Sequence, residues 1–356
     1  MKPFFIGKTE VSLPIIQGGM GVGVSLNGLA SAVANEGGVG VISSAGIGLL
    51  YPEYKGNYLE KCIYGLKEEI RKARKKTLGM IGINIMVALS NYSDMVKTAI
   101  EEKADVIFSG AGLPLDLPSY LTEDSTTKLA PIVSSARAAK LICEKWLANY
   151  NYLPDAIVVE GPKAGGHLGF KREQIDDESY SLEQLVPQIV SVAKSYAGQK
   201  NIPIVAAGGI STGQDIARFM ELGASAVQMG SIFVPTVECD SSAEFKNVYI
   251  NSEEKDIRII QSPVGMPGRA FDGEFIRSVA AGNEKPRSCP FRCIKTCDYT
   301  KSPYCIILAL YNAAKGNMNK GYAFAGKNAH LSDKISSVKE VIEKLKASFF
   351  LSKAVV

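Results

Sequence analysis

The feature that most constrains the fold is the alternation of short apolar segments with helical segments over residues 14–231. Strands that are apolar on both faces are typical of parallel sheets whose connections are helices. Eight strand–helix units predict an α/β fold, a (β/α)8 TIM barrel, which typically has about 250 residues. A doubly wound open sheet is the alternative. The apolar segments occupy residues 14–21, 39–44, 81–86, 105–112, 129–134, 156–159, 202–209 and 226–231.

Polar and glycine residues mark the C-terminal ends of the predicted strands. In a TIM barrel those ends meet at one mouth, where active sites form. A dinucleotide-binding sheet is disfavoured, because residues 19–24 break the G-x-G-x-x-G pattern and the second strand ends in Ser43 and Ser44 instead of an acidic residue. We therefore expect a barrel with a site at its mouth. The strand-end residues are Gln17, Ser43, Asn84, Ser109, Glu160, Gly208 and Gln228.

One of the two histidines of the chain follows the sixth apolar segment. The segment ends in Glu160, and a turn of small residues leads through Gly165 and Gly166 to His167. Adjacent glycines let backbone approach a flat ligand closely, and an imidazole titrates near neutrality. His167 is therefore a candidate catalytic residue, although a strand-ending turn with an incidental histidine has the same pattern.

Glycines also end the seventh and eighth predicted strands, each before a helical segment. They are Gly208 and Gly209 in one loop, and Gly230 followed by Ser231 in the other. TIM barrels often bind phosphate with the loops after these two strands, against a helix N-terminus whose backbone amides supply the anion site. The two loops together favour a phosphate site over a pair of tight turns.

The composition excludes several classes of protein. The 40 Lys and Arg against 36 Asp and Glu leave a net charge of +4 with the signs interspersed, so no nucleic-acid surface is indicated. No apolar run has the length of a membrane span, and the first residues lack the apolar region of a signal peptide. We therefore expect a cytoplasmic protein that acts on a small molecule. A homodimer is compatible with the sequence.

Several motifs together resemble the nitronate monooxygenase (2-nitropropane dioxygenase) family, and almost as closely its sister group, the flavin-dependent enoyl-ACP reductases. The likeness spans nearly the whole chain, and its most specific motif is Ala164-Gly165-Gly166-His167. The resemblance implies an FMN-binding TIM barrel with a helical insertion or extension after the eighth strand. The motifs that carry it occupy residues 17–21, 160–167, 207–210, 228–231, 262–270 and 322–329.

The resemblance also implies roles for single residues. Gly19 and Met20 would run beneath the flavin ring, Asn84 would bind its polar edge, and the loops after the last two strands would hold its phosphate. Gln228 would point toward the flavin, or would instead make a hydrogen bond at the strand end. Lys163 flanks His167 in a supporting or solvated position. The implied cofactor-binding residues are Gly19, Met20, Asn84, Ser109, Gly110, Glu160, Gly166, Gly208, Gly209, Gln228, Gly230 and Ser231.

The implied function is an FMN-dependent nitronate monooxygenase, which converts alkyl nitronates and O2 to carbonyl compounds and nitrite. His167 would bind the anionic substrate or remove a carbon-bound proton from the nitroalkane. The alternative is an FMN-dependent enoyl-ACP or quinone reductase that uses NAD(P)H as co-substrate. A barrel that binds FMN or a sugar phosphate without catalysis is a third class, which His167 argues against.

The same resemblance suggests three parts of the chain. Residues 1–237 would form the FMN-binding barrel, residues 238–320 a helical insertion on the substrate side, and residues 321–356 a C-terminal segment with a helix that packs back on the barrel. His330, which precedes that helix, is predicted to be a surface residue.

Four of the seven cysteines are clustered in the predicted insertion, whereas Cys62, Cys143 and Cys239 stand alone and are expected to be buried or half-buried. Four thiolates close in sequence suit zinc or an iron–sulfur cluster, but the spacing matches neither C-x2-C zinc pairs nor common ferredoxin runs. Packing as small apolar groups is the other interpretation and is slightly favoured, so no metal is assigned. The clustered cysteines are Cys289, Cys293, Cys297 and Cys305.

Overall fold

A computed structural model describes residues 1–354 of the chain. Its strands are β1 (Phe4–Ile6), β2 (Thr9–Val11), β3 (Ile15–Gln17), β4 (Val39–Ser43), β5 (Met80–Met86), β6 (Val106–Gly110), β7 (Lys128–Val133), β8 (Ile157–Glu160), β9 (Gly166–His167), β10 (Ile204–Ala207), β11 (Ala226–Met229), β12 (Ile257–Gln261) and β13 (Pro267–Phe271). Its α-helices are α1 (Asn27–Asn35), α2 (Tyr58–Lys76), α3 (Tyr92–Glu101), α4 (Ala136–Tyr150), α5 (Leu182–Lys194), α6 (Gly213–Glu221), α7 (Ala243–Ile250), α8 (Glu274–Ala280), α9 (Ile306–Ala314) and α10 (Val338–Ala354).

Within this described part, eight parallel strands close into a barrel in the order β3-β4-β5-β6-β7-β8-β10-β11, and β11 pairs with β3. In the pairing of neighbouring strands, Gln228 of β11 lies opposite Ile16 of β3, and Ala207 of β10 lies opposite Glu160 of β8. The predicted (β/α)8 TIM barrel is therefore confirmed, and each of its strands coincides with one of the apolar segments.

The local sequence accounts for the crossover helices. At the start of α2 the side chain of Asn57 accepts a hydrogen bond from the backbone of Glu60, and the Glu60 carboxylate accepts one from the backbone of Asn57. Such a capping box satisfies backbone donors that have no partner inside the helix. The last turn carries Arg74, Lys75 and Lys76, whose charge is favourable at the negative end of the helix dipole.

The barrel interior is a packed core that is closed at one end. The antiparallel hairpin of β1 and β2 caps the N-terminal ends of the strands, because its apolar side chains join the same buried cluster as the barrel interior. Only the C-terminal ends of the strands are left to form a site. Members of this cluster include Phe4, Ile6, Val11, Ile16, Val41, Phe108, Val158 and Val205.

The region after the barrel contains helices α7, α8 and α9, as the resemblance suggested, but it also contains a small sheet that was not predicted. Strand β13 pairs antiparallel with β12 on one side and with β9 on the other, so that Gly268 lies opposite His167. Two residues of β9 are too few for a periodic strand signal. The three-part division of the chain stays a prediction.

The C-terminal segment returns to the barrel. Helix α10 packs against α6 and α1, and the hydroxyl of Ser348 accepts a hydrogen bond of 2.7 Å from the backbone of Gly213 at the start of α6. An isolated bridge joins Phe324 to Ala270 of β13. Among residues 1–354, none of the helices combines the length and the apolar character that crossing a membrane would need.

Candidate active site

A cavity of about 1150 Å³ opens at the C-terminal ends of the barrel strands. It is bounded by strand ends, by the loops after β10 and β11, and by the C-terminal segment. The structure brings nearly all of the sequence-predicted site residues to this one cavity. Those that line it are Gly19, Met20, Asn84, Gly110, Glu160, Gly166, His167, Gly208, Gly209, Gln228, Gly230 and Ser231.

Ser109 is the predicted site residue that does not line the cavity. Successive strand residues point to opposite faces, and Phe108 fills the barrel interior. Ser109 therefore points outward, where its fully buried hydroxyl lies 3.1 Å from the hydroxyl of Tyr92. Lys163 also lies outside the cavity lining, and its side chain is within 2.7 Å of where a Cβ on Gly209 would sit.

His167 reaches the cavity from β9, and the sheet of β12 and β13 holds it there. Its Nε2 lies 2.7 Å from the hydroxyl of Ser262, which directly follows β12, and its ring meets the ring of Phe324 edge-on at 5.0 Å. Burial lowers the pKa of His167 to about 4. At neutral pH the imidazole is uncharged, so one ring nitrogen is an acceptor. Ser262 was not singled out from the sequence, although it begins one of the quoted motifs.

Glu160, at the end of β8, faces the same cavity and has the opposite shift. Burial raises its pKa to about 7. Removing a carboxyl group from water disfavours its charged form, just as burial disfavours the imidazolium of His167. Near neutral pH the cavity therefore holds one uncharged imidazole and one carboxyl group that is partly protonated.

A buried arginine fixes the turn between these two residues. Arg269 of β13 donates hydrogen bonds from Nη1 to the carbonyl oxygens of Pro162, at 2.5 Å, and Ala164, at 2.9 Å. Burial lowers the pKa of its guanidinium to about 10, so it stays charged at neutral pH. Because these carbonyls precede Gly166 and His167, Arg269 sets the position of the imidazole without reaching the cavity.

The floor of the cavity is the backbone that follows β3. A Cβ on Gly19 would lie 2.3 Å from the Cβ of Asn84, so only glycine permits this close packing. Gln17 is fully buried beneath the floor; its side chain donates to the carbonyl of Gly18 and accepts a 2.9 Å hydrogen bond from the backbone of Val41. Gln17 is thus a structural residue that locks the end of β3, and the floor above it is flat backbone.

The loops after β10 and β11 present backbone amides to one end of the cavity. Gly208 and Gly209 have φ of +100° and +77°, which side-chain-bearing residues rarely adopt. Among the backbone hydrogen bonds of residues 1–354, none is donated by the amides of Gly209, Gly230 or Ser231 to a protein acceptor. These free donors next to the first turn of a helical segment form a suitable anion site.

The C-terminal segment braces these loops. The Nδ2 of Asn328 donates to the carbonyl of Gly209 at 2.7 Å and lies 3.2 Å from the hydroxyl of Ser211. The backbone of Gly326 donates to the hydroxyl of Ser231 at 2.9 Å. Asn328 was quoted within a sequence motif but was given no role, because its partners lie more than 100 residues earlier in the chain.

The geometry fits a flat, phosphorylated ring system. The floor of glycine backbone leaves room for a planar group, and the free amides lie where a phosphate would need donors. The same cavity also has apolar lining residues, which suit an uncharged part of a ligand. Its apolar walls include Leu113, Ile132, Phe170, Met266, Leu310 and Phe324.

The cysteines and the second histidine lie elsewhere. Cys62, Cys143 and Cys239 are buried, as expected, whereas the four clustered cysteines are half-buried and unpaired. In the part of the chain that the structure describes, no three His, Cys, Asp or Glu side chains are arranged to hold a metal ion. His330 lies outside the cavity lining, and its Nδ1 is 3.2 Å from the carbonyl of Lys327.

Comparisons with known proteins show the family to which the sequence is similar. A family model described as nitronate monooxygenase matches residues 2–104 and 83–348. A probable nitronate monooxygenase from Staphylococcus saprophyticus is 26% identical over 297 residues, which cover 77% of this chain and 79% of that protein.

Two solved structures have the same architecture. FabK from Thermotoga maritima superposes with a TM-score of 0.73 and is 28% identical, with 97% of this chain and 94% of FabK covered. A nitroalkane oxidase from Streptomyces ansochromogenes also gives a TM-score of 0.73, covers 96% of this chain and 97% of its own, and at 21% identity shows the fold alone.

Proposed function

Because the chain belongs to the nitronate monooxygenase family of flavin-dependent oxidoreductases, we propose that it is an FMN-dependent nitronate monooxygenase. Its substrates would be alkyl nitronates, which it would oxidise with O2 to carbonyl compounds and nitrite. The observation that carries this proposal is the uncharged His167, which faces a cavity lined by both glycine backbone and apolar side chains.

The residues around the cavity suit FMN. The free amides of Gly209, Gly230 and Ser231 would hold its phosphate, and the backbone of Gly19 and Met20 would lie beneath its ring. Asn84 would offer hydrogen bonds to the polar edge of the ring. When bound, FMN supplies the electron transfer and the reaction with O2, while the protein orients the substrate and excludes water.

An anionic substrate would change the state of His167. In the free protein the imidazole is neutral, because its charged form has no counter-charge in a buried site. A nitronate beside the imidazole would supply that counter-charge and would let His167 take up a proton. With a neutral nitroalkane, the same neutral imidazole would instead accept the carbon-bound proton. Ser262 would keep the ring in one orientation for both roles.

A second candidate function is an FMN-dependent enoyl-ACP or quinone reductase that uses NAD(P)H. It is favoured by the likeness to FabK over 97% of this chain and by the cavity volume of about 1150 Å³, which exceeds the need of FMN and a small nitronate. In that case the apolar walls would hold an acyl chain or a quinone ring, and His167 would lie near the carbonyl group of the substrate.

Anaerobic visible spectroscopy of the purified protein separates the two functions. Reduction of bound flavin by a small alkyl nitronate, but not by NADH or NADPH, is expected for the monooxygenase. Rapid bleaching by a nicotinamide alone would support the reductase, and a protein that binds no flavin would overturn both.

The same assay tests His167. We expect His167→Ala to retain FMN and to lose the nitronate-dependent reduction by about 10-fold to 100-fold, as expected when one hydrogen bond to a charged substrate is removed. Loss of FMN from this variant would instead indicate a structural role for His167. His330→Ala is the matched control, because the only other histidine of the chain lies outside the cavity lining.

A further inference from the structure

The segment that carries the four clustered cysteines is not explained by the proposed function. Residues 281–305 lie between α8 and α9 and form no helix or strand in the described structure apart from one isolated bridge, between Ile294 and Leu89. Irregular segments of this length are uncommon in compact domains and are usually either functional segments or linkers. Interactions other than the hydrogen bonds of a helix or a strand must therefore hold this segment in one conformation.

The four thiols of this segment are mutual neighbours. Every one of their six pairings is close enough for the two sulfurs to influence each other electrostatically. All four side chains are half-buried, and none of them is in a disulfide. Four cysteines that span 17 residues of sequence thus converge on one place, although no periodic secondary structure brings them there.

Two of the sulfurs lie in surroundings that favour a thiolate. The amide of Arg292 donates a hydrogen bond of 3.3 Å to the Sγ of Cys289. Cys305 is the N-cap residue of α9, so it lies at the positive end of that helix dipole. Amide donors and a helix N-terminus favour a thiolate over a thiol. Hydrogen bonds to the sulfurs are also a recurrent feature of iron–sulfur sites.

The net positive charge of the segment also favours the thiolate form of its cysteines. Residues 285–301 contain five basic side chains and one acidic side chain. Positive neighbours offset the negative charge that four thiolates carry at a metal centre.

The arrangement distinguishes between kinds of metal centre. No group of three or more potential ligands in residues 1–354 has the arrangement for a metal ion, which disfavours a tetrahedral zinc site. Four thiols that are close to one another without meeting around a single ion suit a polynuclear centre, in which each cysteine binds a different iron. We propose that Cys289, Cys293, Cys297 and Cys305 hold a [4Fe–4S] cluster.

The segment that carries the cysteines contacts the turn after β5. The backbone of Ser90 donates to the carbonyl of Cys293 at 3.0 Å, and the backbone of Lys295 donates to the carbonyl of Ala88 at 3.0 Å. Both contacts follow β5 directly, and that strand carries Asn84 and Met86 to the cavity. The cysteine segment is therefore bonded to the turn after a strand that reaches the proposed FMN site, but cluster binding does not depend on which substrate is used.

Iron and acid-labile sulfide in the full-length protein, purified without oxygen and reconstituted with ferrous iron and sulfide, test this proposal. We expect about four irons and about four sulfides per chain, and an electron paramagnetic resonance signal of the cluster after reduction with dithionite. Cys297→Ser is expected to lose at least half of the iron. Cys143→Ser is the matched control, because Cys143 is a buried cysteine of α4 outside the segment.

Three results would overturn the proposal. They are about one zinc per chain without iron, no metal after reconstitution, and equal iron in the wild type and in a variant with all four cysteines replaced by serine. Thermal unfolding of each variant, followed by circular dichroism, shows whether iron is lost from a folded chain. If Cys297→Ser does not fold, the wild-type iron and sulfide contents still decide the question.

Discussion

At the scale of single residues, the cavity is a site where burial has removed charge. The pKa of His167 is lowered to about 4 and that of Glu160 is raised to about 7, so both groups are largely neutral at about pH 6. His167 could be predicted because a strand, a glycine pair and a histidine follow one another in the sequence. Its partner Ser262 could not, because it lies 95 residues later and meets the imidazole only through the pairing of β9 with β13.

Replacing Ser262 tests whether the orientation of the imidazole matters. Ser262→Ala removes the hydroxyl that lies 2.7 Å from Nε2. We expect kcat/KM for a nitronate to fall roughly threefold to tenfold, which corresponds to the net free energy of one hydrogen bond. Ser262→Thr keeps the hydroxyl and should retain most of the activity. Unchanged pH profiles and rates in Ser262→Ala would contradict a positioning role.

Glu160 gives a prediction about stability and pH. Its folded-state pKa is raised from 4.5 to about 7, so the folded protein holds the proton more tightly than the unfolded chain does. This contribution is present below pH 4.5 and is lost as the pH rises through 7. Between pH 5 and pH 8 the wild type should lose about 2 kcal/mol of stability relative to Glu160→Gln. Urea unfolding of flavin-free protein measures this difference, and parallel pH dependences would refute it.

At the scale of elements, the site is assembled by loops and short strands that carry weak signals of their own. The loops after β10 and β11 could be predicted as a phosphate site, because glycines end two successive strands before helical segments. The sheet of β9, β12 and β13 and the bracing by residues 322–328 could not. Their hydrogen bonds join parts of the chain that are about 100 residues apart, and no local pattern encodes such pairings.

Asn328 tests whether this bracing matters for the cofactor. Asn328→Ala removes the hydrogen bond to the carbonyl of Gly209 and frees the loop after β10. We expect the Kd for FMN to rise about tenfold, since one or two hydrogen bonds that fix the site are lost. Fluorescence titration of apoprotein with FMN measures it. His330→Ala alters the same turn without touching the cavity and should leave the Kd unchanged; equal weakening in both variants would exclude a specific brace.

At the scale of the whole molecule, the barrel could be predicted from the sequence because its strands are apolar on both faces and its helices are amphipathic. One end is closed by the β1–β2 hairpin, so the open end determines where a ligand can bind. The placement of α10 against α6 was predicted only as a helix that packs back on the barrel. Its contact with Gly213 ties the last helix to the loop that follows Gly209.

Cofactor binding should stabilise the entire barrel. A ligand that binds only the folded state at 100 times its Kd adds about 2.7 kcal/mol. For 356 residues we expect this to raise the Tm by roughly 4 °C. Differential scanning calorimetry of apoprotein with FMN measures the shift. Riboflavin at the same concentration lacks the phosphate and should raise the Tm by less. An equal shift with riboflavin would argue against an anion site formed by Gly209, Gly230 and Ser231.

The return of residues 322–328 to the cavity has a consequence for biosynthesis. All eight barrel strands have been made once the ribosome has passed Met229, so the barrel can close while the rest of the chain is still being translated. Phe324, Gly326 and Asn328 are translated well after the eighth strand, and the cavity has its full lining only after they emerge. Cofactor acquisition is therefore expected to follow synthesis of residues 322–328, and premature termination before residue 322 would yield a closed barrel that holds FMN poorly.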